Sequence, residues 1–169
     1  MENVQELAVV TTSEALLEHW QGHRRLTRKV IEAFPEKDFF NFSVGGMRTF
    51  AFLAMEIVDL TEHGIKGLAT GIYPNISELP HHGKNPALIP TTKADFLKKW
   101  DEVTAILNEY WEQIPEERFQ EINVAFGAYE NKNIDTILYF IDNEIHHRAQ
   151  GTVYLRALGI EPPMFWDRS

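Results

Sequence analysis

Residues 133–163 read NIDTILYFIDNEIHHRAQGTVYLRALGIEPP, and this stretch decides the fold. Its apolar side chains recur at helical intervals, Asn133 is placed to cap its start, and Gly159 with Pro162-Pro163 closes it near Leu158. The helix is apolar on more than one side. Leu138, Ile141 and Ile145 make one stripe, and Phe140 and Tyr154 flank Asn143 and His147 on another. A helix of this kind is buried twice over, either centrally in a bundle or between the bundle and a second subunit.

Working outward, three further helices are expected. Thr11 and Glu14 have capping-box spacing, and Leu16, Leu17, Trp20, Leu26, Val30, Ile31 and Phe34 then recur at helical intervals up to Pro35. Residues 35–46 read as a connector whose phenylalanines fold back onto the core. A second helix runs from about Met47 to Leu68 on Phe50, Leu53, Ala54, Ile57, Leu60, Ile65 and Leu68. Residues 71–91 carry too many glycines and prolines for a regular element, and a loop of that length in a compact domain is often functional. Thr92 and Asp95 open a third helix, which ends before Pro115. Between Glu116 and Lys132 the loose alternation of Phe119, Ile122, Val124 and Phe126 before Gly127 allows a short hairpin. The expected architecture is all-α, one four-helix-bundle domain over residues 1–169, with its long loop between helices two and three.

Composition narrows the function classes. The chain has 169 residues with 44% hydrophobic content, which suits one domain with one core. It has no cysteine, so disulfides, thiolate catalysis and iron–sulfur clusters are excluded. The formal charge of -9 disfavours attraction to nucleic acid or an anionic membrane. The cluster Arg24, Arg25, Arg28 and Lys29 reads as a solvated helix face. No run of about 18 apolar residues is present, and Met1 to Val10 lack the pattern of a secretory signal, so a cytoplasmic protein is expected.

Glu56 stands out because it sits on the apolar stripe of the second helix, three residues after Leu53 and four before Leu60. An unpaired carboxylate there would cost several kcal/mol, so it calls for a metal, a histidine or an arginine. Asn143, His147 and Gln150 share a face of the last helix, with His146 about a third of a turn away. Side chains at i and i+4 can chelate one ion, whereas a lone histidine among aromatics is more often a hydrogen-bonded core residue. Asp59, Glu62 and His63 read as a solvated face, His81-His82 as exposed loop residues that could reach a metal or act as a lid, and His19 and His23 as neighbours on helix one. No P-loop, dinucleotide fingerprint, HExxH or nucleophile elbow occurs.

The segment Asp142-Asn143-Glu144-Ile145-His146-His147-Arg148-Ala149-Gln150, with Tyr154-Leu155-Arg156-Ala157-Leu158-Gly159 and Pro162-Pro163, resembles the C-terminal signature of the DinB/YfiT family. Met47-Arg48-Thr49-Phe50 leading to Leu53-Ala54-Met55-Glu56-Ile57, and Trp20 through Pro35, resemble its second and first helices. The resemblance implies a four-helix bundle, commonly homodimeric, with a divalent-metal site between helices two and four. Relatives usually present three histidines there. Here the helix-two position falls on Glu56 and the first helix-four position on Asn143, leaving His147 as the preserved histidine.

Two expectations follow. In the first, nickel, zinc or manganese is held by Glu56 and His147 with help from Asn143 or His146, and polarises a low-molecular-weight thiol or water in a transferase or hydrolase acting on a small molecule. In the second, the chain is a non-enzymatic homodimeric binding protein with a degenerate metal site, in which Glu56 pairs with His147 or Arg148.

Overall fold

A computed structural model describes residues 9–83 and 86–169. Its main helices are α1 (Ser13–Ala33), α3 (Phe50–Thr70), α4 (Lys93–Trp111) and α5 (Asn133–Ala157), with a short α2 (Glu36–Asn41) after the first. α1 packs on α4 and α5, and α3 packs on the same two, which is the arrangement of a four-helix bundle. The hairpin allowed by residues 116–132 is present as β1 (Ile122–Ala125) paired antiparallel with β2 (Tyr129–Lys132). No described helix is long and apolar enough to cross a membrane.

Helix ends follow local chemistry, with corrections to the sequence reading. Thr12, not Thr11, caps α1, its Oγ1 accepting from the Ala15 N–H at 3.2 Å. Thr92 caps α4 as expected, accepting from Asp95 N–H at 3.1 Å. Asn133 is not a cap but the first residue of α5, and its Nδ2 donates instead to the Arg118 carbonyl. The connector at 35–46 is helical over α2, where Phe39 turns into the core as its aromatic composition suggested. Leu138 is exposed, so the buried stripe of α5 runs instead through Ile137, Phe140, Ile141, Glu144, His147, Arg148, Tyr154 and Leu155.

That stripe exposes a feature of the core that the periodicity obscured. The apolar interior forms two clusters, one around Phe34, Phe39, Phe50 and Phe96, the other around Trp20, Trp111, Phe126 and Phe140. On all four main helices, polar residues stand between them in the chain: His23, Arg24 and Thr27 on α1, Asp59 on α3, Thr104 on α4, Glu144 and Arg148 on α5. The fully buried Glu144 accepts from Trp20 Nε1 at 3.2 Å and Thr27 Oγ1 at 2.6 Å, and lies 3.9 Å from the Arg24 guanidinium. Arg24 donates to Thr104, Thr61 and the Trp100 carbonyl and stacks on the Trp100 ring, 4.1 Å from its centroid. Arg24 is therefore not part of a solvated face; burial lowers it to about 10. Its neighbours Arg25, Arg28 and Lys29 do lie toward solvent, paired with Glu18, with Asp101 and Glu32, and with Asp167.

Candidate functional site

Helix α5 approaches α3 closely because a glycine faces an aromatic ring at each end of their contact. A Cβ on Gly64 would stand 2.5 Å from the Phe140 ring, and one on Gly151 would stand 2.4 Å from the Phe50 ring. Between these contacts Glu56 on α3 meets Asn143 and His147 on α5. His147 Nε2 lies 3.0 Å from Glu56 Oε1, and Asn143 Nδ2 donates to the same oxygen at 3.1 Å. The other carboxylate oxygen accepts from Arg48 Nη1 at 2.7 Å. Arg48 precedes α3, lies over the Phe52 ring, and is fixed through its carbonyl, which accepts from the Tyr154 hydroxyl at 2.8 Å.

Burial alone would raise the Glu56 carboxyl, but hydrogen bonds from His147, Arg48 and Asn143 outweigh it and hold the group well below the usual carboxylate range. Glu56 is thus an ionised carboxylate with both oxygens occupied. His147 Nδ1 faces Gln150 Oε1 at 3.0 Å, and Gln150 Nε2 faces His146 Nε2 at 3.2 Å. His146 is exposed and joins the cluster only through Gln150.

Glu56 and Arg48 line one side of a cleft of about 330 Å³ between α3, α5, the hairpin and the 71–91 loop. The loop enters this cleft in a way the sequence reading did not anticipate. Its three single-turn helices include residues 80–82, and His81 is buried there, while His82 is exposed. Asp59 Oδ2 accepts from the His81 backbone N–H at 2.8 Å and from its ring Nδ1 at 2.7 Å. Asp59 is itself buried, not solvated, and its partner is His81, not His63. Glu62, also expected on a solvated face, is largely buried and pairs with Lys66 and Lys99.

The residues as arranged do not fit a divalent ion. Among the described residues no three histidine, aspartate or glutamate side chains converge as a metal set. Both ring nitrogens of His147 are already engaged, Nε2 with Glu56 Oε1 and Nδ1 with the Gln150 amide, and the Arg48 guanidinium already holds the cation position beside Glu56. Asn143 Oδ1 is the exception: it is buried without a hydrogen-bond partner among the described residues.

The comparisons bear on the fold. The sequence model of the DinB family matches residues 7–168. The chain belongs to the DinB family. Solved structures similar to this DinB-family chain include a DinB-like protein from Bacillus cereus, at 19% identity and a TM-score of 0.70, covering 90% of this chain and 97% of that one. A DinB-like protein from Bacillus subtilis aligns at 18% identity and a TM-score of 0.68, covering 89% and 96% respectively. A putative DinB-family member from Exiguobacterium sibiricum aligns at 18% and 0.67, covering 93% and 97%. At these identities the structural likeness shows the fold alone. Among curated proteins, none matches the chain.

Arg48 and the Asp59–His81 pair were missed in the sequence. Arg48 lies eight residues before Glu56, outside the helical register that pairs side chains, and His81 meets Asp59 from 22 residues away. The buried Glu144 did carry a local signal, since Arg148 follows it by four residues on the same face.

Proposed function

We propose that this DinB-family chain is a metal-independent binding protein for a small organic molecule, received in the cleft between α3, α5 and the 71–91 loop. The supporting observation is the closed shell around Glu56: guanidinium, imidazole and amide together satisfy both oxygens of the carboxylate. The cleft is at the small end of the range for ligand pockets, and Phe52, Leu60, Ile76, Tyr129 and Tyr139 give it mainly apolar and aromatic walls. This reading includes a homodimer, which would cover the exposed apolar residues Phe52, Leu138 and Val153 on α3 and α5.

A second reading rests on Asn143 Oδ1. Its unpartnered buried oxygen favours an ion (nickel, zinc or manganese) held by Glu56, His147 and Asn143 once Arg48 leaves, as in a thiol-dependent transferase or a hydrolase. Elemental mass spectrometry on tag-free protein purified without chelator separates the two. Metal-independent binding predicts negligible metal in wild type, Glu56→Ala and His147→Ala, even after incubation with added ions. About one ion per chain in wild type, lost in both variants, would overturn it in favour of the metalloenzyme.

A further inference from the structure

We infer that His81 is the cleft's proton acceptor, and that the ligand it selects is a small, flat molecule carrying an acidic hydroxyl, of which a phenol is the simplest form. The inference rests on the cleft being the binding site and specifies what it binds.

The geometry begins with Asp59. It is 1% exposed on α3, and its Oδ2 accepts from both the backbone N–H and the ring Nδ1–H of His81. A neutral imidazole that donates from Nδ1 to a buried carboxylate carries its lone pair on Nε2, and the carboxylate stabilises the positive charge the ring acquires when that lone pair takes a proton. His81 Nε2 has no hydrogen-bond partner among the described residues, yet it is not among the buried polar atoms left unpaired. His81 is a wall of the cleft, and this places the ring within reach of a molecule bound there. A two-point tether on a loop histidine fixes the ring more firmly than the loop backbone alone would.

The rest of the cleft sets the ligand's shape and charge. Glu56 contributes a negative charge that is already answered by its own partners. Arg48 lines the same cleft, is half-exposed, and spends only Nη1 on Glu56, so its remaining N–H groups can face an anion. Phe52, Tyr129 and Tyr139 present flat apolar faces. A ligand that enters neutral and becomes an oxyanion on binding satisfies these groups together. The hydroxyl O–H bond breaks, its proton bonds to His81 Nε2, and the electron pair stays on the ligand oxygen. The product is an oxyanion beside Arg48 and an imidazolium held by Asp59, with no oxidant or further reactant needed.

The test uses the full-length protein and p-nitrophenol, whose phenolate absorbs visible light and whose phenol does not. At a pH slightly below the dye's own ionisation, saturable binding to wild type should raise the phenolate absorbance. His81→Gln should retain measurable binding by equilibrium dialysis but lose the absorbance gain. Nitrogen-15 correlation spectra of wild type supply a measurement independent of any variant's folding: His81 should carry its proton on Nδ1 alone without ligand, and on both nitrogens with it. Binding without phenolate formation, a phenolate signal that survives in His81→Gln, or an Nε2 that stays unprotonated would each overturn the assignment to His81 while leaving the cleft as a binding site. Absence of saturable binding would overturn the assignment of a phenol-like ligand while leaving the cleft as a site for another small molecule.

Discussion

Replacing Glu144 with leucine should destabilise the protein more than almost any other single change, because the carboxylate answers to groups that cannot reach water. Arg24 is 1% exposed and would keep its positive charge in the core with no counter-ion, and Trp20 Nε1 would lose the acceptor it has at 3.2 Å. Thr27 Oγ1 would lose its 2.6 Å contact. Breaking a buried pair from one side costs about 3–5 kcal/mol, which for a chain of this size lowers the melting temperature by about 10 °C. Pairing the substitution with Arg24→Met removes the stranded charge, and the double variant should recover more than half of the loss, since a well-packed apolar pair can replace a buried ion pair at little cost. Urea unfolding followed by circular dichroism gives both numbers, provided the denaturant slope is unchanged. If Glu144→Leu costs under about 1 kcal/mol, or if Arg24→Met fails to rescue it, the carboxylate does not neutralise Arg24 and the reasoning is wrong.

Two further outcomes follow from the same core. Burial, reinforced by the Arg148 cation, lowers His23 to about 3 from its ordinary 6.5, so the folded protein holds it neutral while the unfolded chain binds a proton. Its contribution is complete above about pH 6.5 and is lost toward pH 3 at about 1.4 kcal/mol per unit, so His23→Gln should flatten the stability profile between about pH 4 and 5.5 by close to one proton's slope. Gly64→Ala should cost about 2 kcal/mol or more despite alanine's better helix propensity, because its methyl group would stand 2.5 Å from Phe140; a neutral or raised melting temperature would show that α3 and α5 can part without loss.

Much of the fold was legible because it rests on local signals. The apolar intervals of the four main helices, Thr92 and Asp95 at the start of α4, and the breakers after residue 70 each act over a few residues, and the helices lie where those signals put them. That Glu56 needs a partner was legible, because a carboxylate on an apolar stripe must find one, but the choice of His147 over Arg148 was set by packing, which turns Arg148 to His23 and Thr27. The partners of Asp59 and Arg24 were not legible. Both sit among charged neighbours in sequence, and only packing decides which member of a charged run turns inward. Arg24 points into the bundle while Arg25 points out, a distinction set by about 100° of helical rotation that composition cannot resolve.

The position of Glu144 also bears on how the chain is made. Arg24 is made on the first main helix of the bundle and its carboxylate partner 120 residues later, on α5. Without α5, a collapse of α1, α3 and α4 would have to enclose a guanidinium without its counter-ion, which is costly in a core. The helix that neutralises Arg24 is thus the same one that brings Asn143 and His147 to Glu56, so charge balance in the core and assembly of the Glu56 cluster depend on one docking event.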